Sequence, residues 1–340
     1  MISKAEVSTR HFGTTKFLAA QKRLREMEGL QSIQTLKNFT LKLPYQASGP
    51  FDRPLPTLAD ILNGSIIGEQ KDKVYRVSEI YAVKESRSWS IICEAENLLY
   101  LQSHSQVRTP RLYAVFQAND MYYMIMEYIP GVQFWEAWTS LEWPERTRAC
   151  EMLAEQLRLL RATPATEKCT HYGRVNGQSY AAVQLIPCSS TSEPCGPYHS
   201  PAEFITALYT TAEIRASKAS FSPEFHPTEI MCFEHFEYSF LNAGNNEDWK
   251  PTLSHLDLKL SNILCKVTSG RVESVSIIDW ASMAWFPAFV EPTTIQTQAY
   301  FEDMQDTYRF QHLVSSGFDT INLALVELLG SVQATLGFTI

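Results

Sequence analysis

The sequence lacks a surplus of basic charge, a long unbroken apolar run and any closely paired cysteines, and each absence removes a class of protein. Lys and Arg total 29 against 37 Asp and Glu, a net charge of −8 over 340 residues. A chain that works on polyanions needs the opposite balance, so neither nucleic acid nor an anionic membrane is expected as a partner. An acidic surface instead favours cationic or neutral ligands. The most apolar long stretch, Ile321 to Ile340, is interrupted by Asn322, Glu327, Ser331 and Gln333, which suits a packed terminal helix and not a membrane span. Met1 to Thr15 carries Lys4, Glu6 and Arg10 with no apolar segment of secretory type, so a cytoplasmic location is expected. The seven cysteines show no Cys-x-x-Cys spacing and read as reduced thiols; Cys188 and Cys195 would pair only in a secreted chain. No Gly-x-Ser-x-Gly elbow and no His-Glu-x-x-His helix occurs, which leaves serine hydrolase and zinc protease readings without a starting point. His226 and His235, with Glu229 and Glu234 nearby, read as a surface cluster.

Enough remains for roughly two structural units, with 45% hydrophobic residues to fill their cores. Residues 1–50 read as a helical extension, centred on a helix from Lys16 to Met27. Residues 51–130 form a strand-rich lobe. Within it, Val74 to Lys84 is dense in β-branched and aromatic residues, and Ile91 to Gln102 has helical spacing. Leu112 to Phe116 and Tyr122 to Ile129 are strand-like runs joined through Asn119-Asp120, residues that tolerate the positive φ of a tight hairpin. Residues 131–340 are mainly helical. Glu145 to Arg161 places Ala149, Met152, Leu153, Leu157 and Leu160 on one face, with Pro144 in the first turn. About 163–250 reads as a loop-rich insertion with a single helix from Pro201 to Ser217. The class is α+β, with a small β-rich lobe, a short hinge and a larger helical lobe.

Chemistry concentrates in Leu253 to Leu264, where His255, Asp257 and Asn262 stand in the order His-x-Asp-x-x-x-x-Asn, followed downstream by Asp279 in Ile277-Ile-Asp-Trp280. Two alternating apolar runs, Ile263 to Val267 and Val272 to Ile278, flank Ser269-Gly270, a hairpin signal midway between Asn262 and Asp279. Folding that hairpin brings Asn262 and Asp279 to its open end. An amide oxygen beside a carboxylate suits Mg²⁺ completed by water and phosphate oxygens. Asp257, on the preceding loop, can then orient an attacking hydroxyl. Such a site needs a cation for the phosphates. Lys84 ends the run Ile80-Tyr-Ala-Val-Lys84, and Glu94 on the following helix is the expected partner, with Glu96 on another face the less favoured one. Upstream, Gly64 and Ser65 in Asn63-Gly64-Ser-Ile-Ile-Gly68 offer backbone amides to phosphate, a weak signal by itself.

The set Tyr81-Ala-Val-Lys84, Glu94, Met126-Glu-Tyr-Ile-Pro-Gly131, His255-x-Asp257-x-x-x-x-Asn262 and Ile278-Asp-Trp280 resembles the aminoglycoside phosphotransferase and choline kinase family, with its protein-kinase-like fold. The stretch Asp279 to Pro292 is similar to the Asp-Trp-Glu-x-x-Gly-Trp-Tyr-Pro-x-Tyr-x-Glu pattern of fungal members. The resemblance implies an ATP- and Mg²⁺-dependent phosphotransferase acting on a hydroxyl group of a small molecule. In that scheme Asp257 is the catalytic base, Asn262 and Asp279 are metal ligands, and Lys84 contacts the α- and β-phosphates with Glu94 as its partner. Glu127, Tyr128 and Ile129 form the hinge that meets adenine. Glu234, Glu237, Glu302 and Asp303 would suit an amine-bearing acceptor. The chain departs from the pattern at Leu256, where glycine is usual, and at Ala281, Ser282 and Ala284, and its phosphate-covering segment is poor in glycine. Two rival readings follow. One is a kinase-fold scaffold without turnover. The other is a protein kinase, disfavoured by the long stretch between Tyr128 and His255 and by the absence of Ala-Pro-Glu after Asp279.

Overall fold

A computed structural model describes residues 3–49, 51, 53–69, 72–165, 171–180, 195–218, 222–318 and 321–336. The chain opens with α1 (Lys4–Phe12), closed at its start by a capping box between Ser3 and Glu6, and α2 (Phe17–Lys37). There follow β1 (Tyr45–Gln46), α3 (Leu58–Leu62), β2 (Ser65–Glu69), β3 (Lys73–Val77), β4 (Tyr81–Ser86), α4 (Ser90–His104), β5 (Leu112–Ala118) and β6 (Met121–Glu127). The strands make one antiparallel sheet in the order β1-β5-β6-β4-β3-β2.

The stretch from Val74 to Lys84, dense in strand-forming residues, is a hairpin. Ser78 and Glu79 both take positive φ, 53° and 61°, and reverse the chain as Asn119 and Asp120 do between β5 and β6 at 50° and 60°. That turn contains no glycine or asparagine, so its residue types do not announce it. One side of the sheet packs on α4, with Val115 and Met124 meeting Leu98 and Leu101 in the main core. The other side carries Tyr75, Val77, Tyr81, Val83, Tyr123 and Ile125 over Ile61 of α3.

The second lobe contains β7 (Val132–Gln133), α5 (Phe134–Ser140), α6 (Trp143–Arg161), α7 (Pro201–Lys218), α8 (Pro227–Ala243), β8 (Pro251–Ser254), β9 (Ile263–Thr268), β10 (Arg271–Ile277), β11 (Ala284–Pro287), α9 (Val290–Gln298), α10 (Met304–Val314) and α11 (Leu323–Leu336). The apolar face of α6 is buried along its whole length, from Ala149 through Leu153 and Leu157 to Leu160. The region read as a loop-rich insertion also holds α8, which the sequence pattern did not reveal. His226 caps it, Pro227 opens it and Glu229 reaches back to the His226 amide. Phe236 and Phe240 of α8 join Phe204 and Leu208 of α7 and Leu325 and Leu329 of α11 in a second core. Full burial of each such ring stabilises the fold by about 2–3 kcal/mol.

Trp138 stacks on Phe301 at 4.7 Å between centroids, a packing role, while Trp135 and Trp143 remain partly exposed. Among the described residues no helix is long and apolar enough to cross a membrane. Cys93, Cys150, Cys232 and Cys265 are free thiols, whereas Cys169 and Cys188 lie outside the described residues.

Candidate active site

Lys84 sits in β4, between β3 and β6, and its side chain is almost wholly buried. Its ammonium lies 2.8 Å from Glu94 Oε2, 2.9 Å from Asp279 Oδ1 and 3.7 Å from Asp72 Oδ2. Three carboxylates therefore face one cation, which leaves the cluster net negative and receptive to a further cation. Burial alone would drive the ammonium toward its neutral form, but the charges of Glu94 and then Asp279 outweigh it and raise the Lys84 pKa. Glu94 is 2% exposed, and burial pushes its pKa up against the pull of Lys84. For Asp279 burial acts in the same upward sense, yet Lys84 prevails and holds it below the ordinary carboxylate value.

The chain enters the lower part of the site from β8. His255 is fully buried; its Nδ1 accepts from the Asp257 amide at 3.2 Å and its Nε2 lies 3.0 Å from the Ile278 carbonyl. Those partners assign the neutral tautomer with the proton on Nε2, in accord with burial pushing its pKa down. The ring meets Trp280 edge-on at 4.8 Å. His255 thus stitches the loop to the end of β10 and has no free nitrogen for proton transfer.

Leu256, the departure from glycine, has φ of +66°. An L-residue in that region carries roughly 1–2 kcal/mol of strain, and the buried Leu256 side chain, packed with Ala284 and Phe286, offsets it. The Leu256 amide donates to Glu291 Oε2 at 3.1 Å. Glu291 is fully buried, and that burial pushes its pKa up to about 7.

Asn262 Nδ2 donates to the Asp257 carbonyl at 2.7 Å and to Asp257 Oδ2 at 3.1 Å. This commits the amide nitrogen and turns Asn262 Oδ1 into the atom available to a cation. Lys259 Nζ approaches Asp257 Oδ1 to 2.7 Å as an ion pair, but that buried oxygen accepts no well-formed hydrogen bond among the described residues. The hairpin β9–β10 does bring the two expected metal ligands to its open end. A bulge between Val272 and Ser274 shifts the register so that the Asn262 carbonyl receives the Ile278 amide at 2.9 Å, one residue ahead of Asp279. Asp279 then turns back through a left-handed conformation, φ 63° and ψ 64°, toward Lys84.

Gly64 and Ser65 are placed elsewhere. Ser65 pairs with Arg76, toward the end of β2–β3 away from its turn. At the other end of this strand pair Asp72 lies beside Lys84. A Cβ on Gly64 would lie 2.9 Å from the Arg76 carbonyl oxygen, so glycine answers a packing demand there. At the hinge, the Glu127 amide donates to the Arg111 carbonyl and the Tyr128 amide to the Ile80 carbonyl. Among the described residues the Ile129 amide has no such backbone partner.

Glu96 does not approach Lys84; it pairs with Arg174. Three contributors escaped the sequence reading. Asp72 could have been noticed as an acid just before β3, the strand that pairs with the lysine strand. Asn97, whose Nδ2 donates to the Trp280 and Met283 carbonyls at 2.7 and 3.1 Å, carried only the signal of lying on the Glu94 helix. Glu291 carried none beyond its place in the Asp279 to Pro292 pattern.

A β-rich lobe supplying a lysine–glutamate pair, over a helical lobe supplying Asp257, Asn262 and Asp279, defines a kinase-like phosphotransferase. The model of the phosphotransferase enzyme family matches residues 84–317, well over half of the chain, and the chain belongs to that family. Among solved structures it is similar to the ADP-bound aminoglycoside phosphotransferase APH(2'')-Ib, with a TM-score of 0.51 and 14% identity over 90% of this chain and 88% of the other. It also matches the GDP complex of aminoglycoside 2'-phosphotransferase-IIIa, with a TM-score of 0.49 and 12% identity over 90% and 88% of the two chains. Comparison with curated proteins finds no match.

Proposed function

We propose that the protein is an ATP- and Mg²⁺-dependent phosphotransferase that acts on a hydroxyl group of a small molecule. The observation that carries this reading is the bridge from Lys84 to Glu94 at 2.8 Å and to Asp279 at 2.9 Å, which joins the two lobes. The similar APH(2'')-Ib structure is ADP-bound, which supports nucleotide use here. Ile129 would receive the base and Lys84 the α- and β-phosphates. Asn262 Oδ1 and Asp279 fit Mg²⁺ by donor type, a hard amide oxygen and a carboxylate held below its usual pKa. Among the described residues no cluster of three His, Cys, Asp or Glu could hold a metal alone, so phosphate oxygens and water would complete its shell. When bound, the ion supplies charge neutralisation on the transferred phosphoryl group.

The residues then divide the work. Asn262 fixes the Asp257 carboxylate by its Oδ2, and that carboxylate would accept from the incoming hydroxyl and aim it. Lys259 is paired to the same carboxylate and holds it from its other side. Asp257→Asn should abolish phosphate transfer to small alcohols and amino alcohols, read as ADP release, while Mg·ADP binding survives. Undiminished transfer would refute the assignment.

One observation favours a binding protein without turnover. Asp72 stands 3.7 Å from Lys84, where phosphate oxygens would approach, on a turn poor in glycine. A thermal-shift titration separates the readings, since a phosphotransferase is stabilised by ATP with Mg²⁺ and a scaffold that has lost the site is not.

A further inference from the structure

The helix that carries Glu94 is gripped on its opposite side by a second buried carboxylate with no part in the chemistry described so far. Residues two apart on a helix project about 200° from one another, so Glu94 and Glu96 of α4 face in nearly opposite directions. Glu94 meets Lys84, while Glu96, 3% exposed, lies with its Oε2 2.5 Å from Arg174 Nη2. The other oxygen, Oε1, accepts from the Thr40 amide at 2.6 Å, the Thr40 hydroxyl at 2.8 Å and the Leu41 amide at 2.9 Å. Arg174, 1% exposed, donates from Nη1 to Gln178 Oε1 at 2.8 Å and lies 4.5 Å over the ring of Phe39. Its neighbour Gly173 exchanges two backbone hydrogen bonds with Trp285 of β11, at 3.1 and 2.8 Å, which ties the arginine to the strand following Asp279.

Three distant stretches therefore converge on one carboxylate: the segment leading into β1, the helix α4, and residues 171–180 at the start of the insertion. A buried ion pair is a poor source of net stability, because desolvating both charges offsets most of their attraction, whereas its geometry is demanding. The start of α4 has no side-chain cap to set its position, since Trp89 at the N-cap makes no such bond. A helix that slips by one residue moves about 1.5 Å and turns about 100°, enough to carry Glu94 out of reach of Lys84.

We propose that Glu96 is a positioning residue for the Lys84–Glu94 pair, holding α4 in register through Arg174 and residues 39–41. This rests on the nucleotide reading of the site. Loss of the junction lets α4 shift, Glu94 leaves Lys84, and the ammonium is no longer aimed at phosphate. The hinge, formed by Glu127 to Ile129, is untouched. The junction therefore governs phosphate binding selectively and not the binding of a nucleoside.

The test uses the full chain and the double variant Glu96→Gln/Arg174→Met, which removes both charges together and leaves no unpaired buried ion. Titration calorimetry compares Mg·ADP with adenosine. The expected result is a cooperatively folded variant whose Kd for Mg·ADP rises by about 10-fold while that for adenosine changes less than about two-fold. Adding Lys84→Met should weaken Mg·ADP binding in the wild type and have little further effect in the double variant. Unchanged Mg·ADP affinity, or equal weakening for both ligands, would overturn the proposal. If the double variant does not fold, Arg174→Lys, which keeps the charge but not the forked contact, is judged by the same criteria. If the wild type binds neither ligand, it is the nucleotide reading that fails. Amide hydrogen exchange then decides the junction separately: faster exchange confined to residues 90–104 in the variant supports it, and unchanged exchange overturns it.

Discussion

The hairpin β9–β10 offers its open end to the site, whereas β2–β3 offers its turn. Both are antiparallel and both carry a bulge, between Val272 and Ser274 in one and between Ile66 and Gly68 in the other. In β9–β10 the residues nearest the chemistry are the most buried: Ile263 and Ile277 are inaccessible, and His255, Trp280 and Asn262 tie the end together by hydrogen bonds. In β2–β3 Ile66 and Ile67 are about half exposed and the turn presents Asp72 to Lys84. A rigid open end holds catalytic groups to within an ångström, which positioning requires. A half-exposed hairpin confers less preorganisation.

The largest expected effect tests the rigid hairpin. Asp279→Ala removes a carboxylate that both lobes share, and the Mg²⁺-dependent part of ADP affinity should fall by about 10³-fold, read by calorimetry with and without EDTA. An effect confined to protein stability would place Asp279 in packing alone.

Next in size is the support beneath that hairpin. Glu291 keeps its proton up to about pH 7 in the folded chain, while the unfolded chain releases it near the ordinary value of 4.5. Between those values the native state binds more protons than the unfolded state, so stability falls as pH rises, by about 3 kcal/mol in total. Glu291→Gln cannot titrate. Its stability relative to wild type should therefore rise by about that amount between pH 4.5 and pH values above 7, as measured by urea unfolding. A pH-independent difference would mean that Glu291 ionises alike in both states.

The β2–β3 hairpin should respond more weakly. Gly64→Ala forces a Cβ to 2.9 Å from a backbone oxygen and should cost about 1–3 kcal/mol of stability without changing Mg·ADP affinity in the folded protein. Weaker phosphate binding at unchanged stability would return Gly64 to the role first expected of it. Asp72→Asn removes a repulsive charge and should tighten Mg·ADP binding by about five-fold. Weaker binding would make Asp72 a contributor and reduce the contrast between the hairpins.

Legibility in the sequence followed how local each signal is. Asn119-Asp120 and Ser269-Gly270 are turn residues between alternating apolar runs, and the strands around them could be read directly, with Asn262 and Asp279 assigned to one open end. Ser78-Glu79 makes the same kind of turn from residues that do not advertise it, so the reversal between β3 and β4 is not legible in the sequence. The α8 helix was hidden because His226, Ser and Pro residues before it resemble a loop, and its cap becomes visible only once Glu229 is seen reaching back. Glu94 was singled out over Glu96 by helical phase, yet nothing local announced that Glu96 would meet Arg174.

By itself the sequence determined the order and spacing of the reactive side chains, the hairpin that gathers two of them and the division into a strand-rich and a helical lobe, because turns and hydrophobic periods act over a few residues. Only the tertiary structure decided which donors hold those side chains: Arg174 and Thr40 on Glu96, Glu291 on the Leu256 amide, and three carboxylates around Lys84. These contacts join segments far apart along the chain. They exist only where packing excludes water and leaves a charge no other partner.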